Sequence, residues 1–267
     1  MSTPLLSVEK LEVVYGRAIT AVQGVSLRVD AGQIVAVLGN NGAGKTTTLR
    51  AISGFLGIDD ARVTEGSVSL DGRRIENRPP NEIANLGVAV VSERDKVFPN
   101  LTVAENLAAP MSRSITRAER RRREELMLEL FPRLVPLRKR IGGLLSGGER
   151  QMLALASALV GSPRLLLVDE LSLGLAPIVV EELMRRLAEI RRALDVSILV
   201  VEQNASVALE IADYGYVLEN GRIVLDGEPK RLLGHQDIRE FYLGLGAGER
   251  RSYRNIKQYR RSRRWYG

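Results

Sequence analysis

The stretch GQIVAVLGNNGAGKTTTLRAISGF, residues 32–55, constrains the fold of this chain more than any other. Its apolar run from Ile34 to Leu38 reads as a strand, and the segment after Lys45 reads as a helix. Between them lies GNNGAGKT, Gly39 to Thr46, which fits G-x-x-x-x-G-K-[ST] in the strand-to-helix setting that pattern needs. A loop of this kind curls backbone amides round a phosphate, and the helix behind it adds its positive end. The expected nucleotide contacts are Gly39, Asn40, Asn41, Gly42, Ala43, Gly44, Lys45, Thr46 and Thr47. Lys45 would reach the β- and γ-phosphate oxygens, and the Thr46 hydroxyl would ligate Mg²⁺.

A matching pair of acids stands farther along. The apolar strand LLLVDE ends in Asp169 and Glu170. Asp169 suits a Mg²⁺ contact, and Glu170, one residue on, suits the polarisation of an attacking water. On its own a strand ending in two acids is ordinary and solvated. Its weight comes from the loop.

Elsewhere strands alternate with helices, which predicts an α/β layered fold with a largely parallel sheet. LLSVEKLEVVY and VQGVSLRV read as early strands, and GVAVVSE as a buried one. EGSVSLDGRRI and YVLENGRIVLDG read as hairpins turning at Asp71-Gly72 and Asn220-Gly221. From Val97 to about Arg150 the chain is helical and charge-rich. Its arginine run is offset by Glu119, Glu124 and Glu125, which favours a solvated helix face over a nucleic-acid groove.

Composition excludes several classes. The 267 residues contain no cysteine, so neither disulfides nor thiolate chemistry is available. No apolar stretch approaches the roughly 20 residues of a membrane helix. MSTPLLSVEK lacks the basic segment and apolar core of a secretory signal. A cytosolic chain is expected, with any membrane business conducted through another subunit. The net charge of +7 is carried by residues 249–267, where eight basic residues face only Glu249.

One further motif has no chemistry of its own. LSGGE, Leu145 to Glu149, reads first as a capping box, with Ser146 as N-cap and Glu149 three residues later. Taken in order, however, the phosphate loop, LSGGERQ and the Asp-Glu strand resemble an ABC-transporter ATPase subunit, over Leu5 to about Leu243. The resemblance implies a P-loop NTPase fold of ABC ATPase type: a mostly parallel sheet core with an antiparallel β subdomain and a helical subdomain. It implies one domain over residues 1–243, with the helical subdomain at about 97–150 inserted in the catalytic core, and a basic, aromatic tail over 244–267. In that family two subunits dock head to tail. By resemblance, Ser146, Gly147 and Gly148 bind the γ-phosphate of ATP held by the other subunit, and the capping box and the phosphate site are one structure. Tyr15 matches the aromatic that stacks on adenine, the alternative being a half-buried strand tyrosine.

The finer resemblance is to ATPases of branched-chain amino-acid importers, carried by SLGLAP at Ser172–Pro177 and VEQN at Val201–Asn204. Most relatives have a histidine switch at this second place. The single histidine here is His235, so Gln203 stands there instead, able to hydrogen-bond a phosphate or water but not to carry a proton. Where relatives use a glutamine loop, Glu93 is offered as a contact to Mg²⁺ or water. Leu171 replaces the usual proline, Gly174 a common aspartate and Ser157 a common arginine.

The implied function is the ATP-hydrolysing subunit of an importer for branched-chain amino acids or related small polar or acidic solutes. Its implied partners are a second ATPase subunit, a transmembrane permease touched near Phe98 and, indirectly, a periplasmic binding protein. Its implied place is the cytoplasmic face of the inner membrane. A non-transport ABC ATPase acting on nucleic acid or ribosomes is the alternative, though such proteins usually carry two cassettes or long coiled coils. An orphan P-loop kinase would leave LSGGE without a task. The tail has three readings: a solvated segment, a contact with anionic lipid, and, least favoured, a nucleic-acid site.

Overall fold

The computed structural model describes residues 3–93, 97–112, 114–235 and Ile238. The basic tail lies outside them. The chain opens with two long strands, β1 (Leu6–Tyr15) and β2 (Ile19–Val29), paired antiparallel with bulges. They join β4 (Ala61–Leu70) and the short β5 (Arg73–Arg74) in a four-stranded sheet of order β2-β1-β4-β5. Leu70 pairs with Arg73 across Asp71-Gly72, both with positive φ, so the hairpin turns where the sequence puts it.

The second sheet has six strands in the order β10-β9-β3-β8-β7-β6. Its members are β3 (Ile34–Leu38), β6 (Val88–Val91), β7 (Leu165–Asp169), β8 (Ser197–Glu202), β9 (Tyr214–Glu219) and β10 (Arg222–Gly227). All neighbours are parallel except the β9–β10 hairpin, which turns at Asn220-Gly221. β3, β7 and β8 are buried at every position, as expected of central strands covered on both faces. β6 differs from the expectation. It is the edge strand, and its Ala89 and Val90 are only half-buried.

Alternate residues of these strands feed two cores. Val35, Val37, Leu165, Leu167, Leu199 and Val201 face the antiparallel sheet and α1 (Lys45–Ser53). Ile34, Ala36, Leu166, Val168, Ile198 and Val200 face α5 (Gly147–Leu159), α6 (Pro177–Leu194) and α7 (Ala205–Ile211). On α6 the buried set Val180, Leu183, Met184, Leu187 and Ile190 follows the helical period and makes one apolar stripe. The remaining helices are α2 (Pro80–Asn85), α3 (Val103–Ala108), α4 (Arg117–Leu130) and α8 (Pro229–Gly234). α3, α4 and the start of α5 supply the helices expected between 97 and 150, joined by short 3₁₀ turns. α5 itself runs through Arg150 and carries that layer onto the parallel sheet. Among the described residues no helix is long and apolar enough to cross a membrane.

Candidate active site

Parallel strands deliver their carboxyl ends to one edge of a sheet, the place where open α/β folds bind ligands. Here β3 leads into Gly39, β6 toward Glu93, β7 ends at Asp169, and β8 ends at Glu202 just before Gln203. The register sets Leu38 beside Glu202 and Asp169 beside Val201. Residues more than a hundred positions apart in sequence thus meet by strand register alone.

The phosphate loop is shaped by its glycines. Gly42 and Gly44 have φ of 80° and 103°, in the left-handed region. A Cβ on Gly39 would lie 2.6 Å from the Leu218 carbonyl oxygen, so only glycine fits there. α1 begins at Lys45 with no side-chain cap and no acid in its first turn. The first amides of a helix have no acceptor within it, which leaves this end ready for an anion.

Lys45 is buried, and its Nζ donates to the carbonyls of Gly39 (2.9 Å) and Asn40 (3.2 Å). The same Nζ pairs with Glu170 Oε1 at 2.9 Å. Glu170 has φ of 45°, a conformation a glutamate adopts only when its surroundings impose it. The candidate base and the candidate phosphate-binding cation therefore hold each other.

Thr46 Oγ1 donates to Asp169 Oδ1 at 3.1 Å. Thr46, Asp169 and Glu93 line one cavity of about 420 Å³. Burial raises the Asp169 pKa to about 6; the Thr46 hydrogen bond opposes the rise and the charges of Glu170 and Glu93 add to it. The Thr46 hydroxyl and the carboxylate oxygens of Glu93 and Asp169, the last held above its usual pKa chiefly by burial and further by neighbouring negative charge, form a donor set that suits a hard divalent cation such as Mg²⁺.

Tyr15 ends β1 half-buried, with its hydroxyl 3.2 Å from Thr47 Oγ1, so the ring stands beside α1. Gln203 is exposed at the same sheet edge. Ser146, Gly147 and Gly148 are elsewhere, at the start of α5, and do not line the cavity of Thr46 and Asp169. The capping box is present: Ser146 Oγ accepts the Glu149 N–H at 3.3 Å, and Glu149 Oε2 accepts the Ser146 N–H at 2.8 Å. That second bond holds the Glu149 carboxyl below its ordinary range, against burial. Ser146 and Gly147 are exposed, so this end of the helix faces outward.

Residues 22–172 match the ABC transporter family. The chain belongs to that family of ATPases. It is 42% identical over 241 residues to the high-affinity branched-chain amino acid transport ATP-binding protein BraG of Pseudomonas aeruginosa, covering 90% of this chain and all of the relative. It is 41% identical to the probable branched-chain amino acid transport protein LivF of Archaeoglobus fulgidus, covering 79% of this chain and 87% of that one. Among solved structures it is similar to the ADP conformation of MJ1267, an ATP-binding cassette of an ABC transporter. The TM-score is 0.78 and the identity 27%, over 91% of this chain and all of the other.

Within this ABC ATPase the departures from the usual motifs have visible settings. Leu171 is buried, and its carbonyl accepts Gln151 Nε2 at 2.9 Å. Gly174 has φ of 73°, so glycine relieves strain there. Ser157 Oγ donates to the Asn106 carbonyl at 3.4 Å. The structure also shows two roles that spacing did not. Gly147 lets α5 approach the turn before α6, and Gly148 lets it approach α6 itself, because a Cβ would stand 3.0 Å from Leu175 Cδ2 and 2.8 Å from Val179 Cγ1. Glu202, inside the VEQN motif, is fully buried and bonded to Ser172. The only signal for it in sequence is a carboxylate closing an otherwise apolar strand.

Proposed function

We propose that this ABC ATPase is the ATP-hydrolysing subunit of a branched-chain amino-acid importer. Two such subunits dock head to tail and close over two nucleotides, at the cytoplasmic face of the membrane beneath a separate permease. The observation that carries the mechanism is the split between Lys45, Thr46, Asp169 and Glu170, gathered at one sheet edge, and the start of α5, where Ser146 and Gly147 are exposed outside the cavity of Thr46 and Asp169. Such a split fits a pocket whose second wall comes from a neighbour. The substrate class rests on BraG and LivF.

In this reading residues 1–243 form one domain, with 97–150 as its helical insertion. The amides of Gly42 to Thr46 hold the phosphates, Tyr15 stacks on adenine, and the Lys45 ammonium exchanges its ion pair with Glu170 for one with the incoming phosphate. Glu170, released from Lys45, becomes the acceptor for a proton from the attacking water. Thr46, Asp169 and Glu93 hold Mg²⁺, which when bound offsets phosphate charge. Gln203 donates a hydrogen bond to the phosphate or the water and carries no proton. Ser146, Gly147 and Gly148 of the second subunit close over the γ-phosphate with a helix N-terminus. A groove of about 510 Å³ beside the helical layer, lined by Phe55, Ala84, Val90, Phe98 and Ala158, seats a permease segment. Phe98 is 58% exposed there.

Reconstitution with its cognate permease in liposomes tests both halves. Glu170→Gln is expected to lower turnover by on the order of 10²-fold or more while ATP binding persists; near-normal turnover would overturn the assignment of the base. ATP-dependent uptake of labelled leucine is expected, and uptake of an unrelated solute alone would overturn the substrate class.

A further inference from the structure

Glu202 is the last residue of β8, with relative exposure of 0%. Its Oε1 accepts the Ser172 N–H at 2.9 Å and its Oε2 accepts the Ser172 hydroxyl at 2.6 Å. Its backbone carbonyl accepts the Gly39 N–H at 3.3 Å. One residue therefore touches the first glycine of the phosphate loop through its main chain and the segment after Glu170 through its side chain, and it directly precedes Gln203. Burial raises its carboxyl pKa, and the Ser172 donors work against that rise.

A buried carboxylate is a costly way to hold a loop. Apolar packing does as well or better for stability, so such a group is better explained by the geometry it enforces. The geometry here concerns Glu170. Its left-handed φ of 45° opens a tight turn in which its N–H donates to Val201 at 3.0 Å and its carbonyl accepts from Leu173 at 3.4 Å. Gln151 holds the next carbonyl, that of Leu171, at 2.9 Å. Glu202 then grips Ser172 by two hydrogen bonds to one carboxylate, the strongest class available to an uncharged donor pair. Meanwhile the Glu170 side chain is tied to Lys45, the group a phosphate would claim. When that tie is exchanged, the main chain under Glu170 needs an anchor that the nucleotide does not disturb.

We propose that Glu202 is a positioning residue for ATP hydrolysis: by clamping Ser172 it fixes the turn that aims Glu170 into the phosphate site and sets it in register with Gln203 on the neighbouring strand end. The inference rests on reading Glu170 as the base. It assigns no proton transfer to Glu202, which stays sealed from the reacting atoms.

The test is steady-state ATPase kinetics of the assembled transporter carrying Ser172→Ala, Ser172→Thr, Glu202→Gln, the double variant Ser172→Ala/Glu202→Gln, or Glu170→Gln, with thermal unfolding measured alongside. Ser172→Ala is expected to lower kcat about tenfold, the scale of one charge-assisted hydrogen bond, with KM for ATP within about twofold. Ser172→Thr, which keeps the hydroxyl, should recover most of that loss. The double variant should be no slower than the slower single, because both substitutions break one contact. Should the Glu202 variants fail to fold, the Ala and Thr pair at half-buried Ser172 decides alone. An unchanged kcat in Ser172→Ala and Glu202→Gln, with or without a fall in melting temperature, overturns the inference while an inactive Glu170→Gln leaves the base standing. A rise in KM at constant kcat overturns it as well. An active Glu170→Gln overturns the base assignment itself.

Discussion

Two helix starts in this chain use glycine in opposite settings. α1 begins behind Gly44 with no side-chain cap and no acid in its first turn, so its amides and positive end await a ligand. α5 begins behind Ser146 with a complete capping box and Glu149 in its first turn, so it is satisfied by its own residues. The first is set among groups that already have partners, Lys45 paired with Glu170 and Thr46 hydrogen-bonded to Asp169. The second faces outward. On the proposed reading, the contrast separates one half of a phosphate pocket, assembled inside the chain, from a second half that is exposed and self-capped until a neighbour's phosphate is brought to it.

The largest break in that contrast comes at α1. Lys45→Ala removes the cation and leaves Glu170 without its partner, and the affinity of the isolated chain for ATP should fall by on the order of 10²-fold, the scale of a lost buried charge contact, by fluorescent-nucleotide titration. The matching change at α5, Ser146→Arg, should instead spare single-chain ATP binding and lower turnover of the paired subunits about tenfold or more. Equal effects of the two on single-chain affinity would erase the distinction. Gly148→Ala sharpens it from the packing side. Its Cβ would meet Val179 Cγ1 at 2.8 Å, and a β-branched side chain on a helix turns aside poorly, so stability should drop by about 1–3 kcal/mol in denaturant unfolding.

The smallest effect is on pH. The folded-state pKa of Asp169, about 6 against an ordinary 3.8, means that this group favours the nucleotide-free fold below pH 3.8 and that the contribution is lost as pH rises through about 6. A cation on Asp169 reverses the shift, so Mg·ATP binding near pH 6 should release protons. Calorimetry in buffers of different ionisation enthalpy would detect them, and a buffer-independent heat would contradict the site.

How much of this was legible in the sequence follows from how local each signal is. The strand–loop–helix setting of the phosphate loop, the placing of the acid pair at the end of a strand and both two-residue hairpins depend on neighbours along the chain, and the elements lie where the sequence puts them. The edge position of β6 depends on strand order, which periodicity does not encode. The Lys45–Glu170 pair and the Ser172–Glu202 clamp join residues 125 and 30 positions apart through the register of β3, β8 and β7. Gly147 and Gly148 suggest close approach to something, and sequence alone does not say that part of that something is α6.

The central claim, that a single chain holds ATP but lacks a wall of the cleaving pocket, is tested most directly by ATP turnover per chain as the purified subunit is diluted. The account predicts turnover that falls toward zero as dimers dissociate, while nucleotide binding persists. Turnover per chain that stays constant into the strictly monomeric range would contradict it.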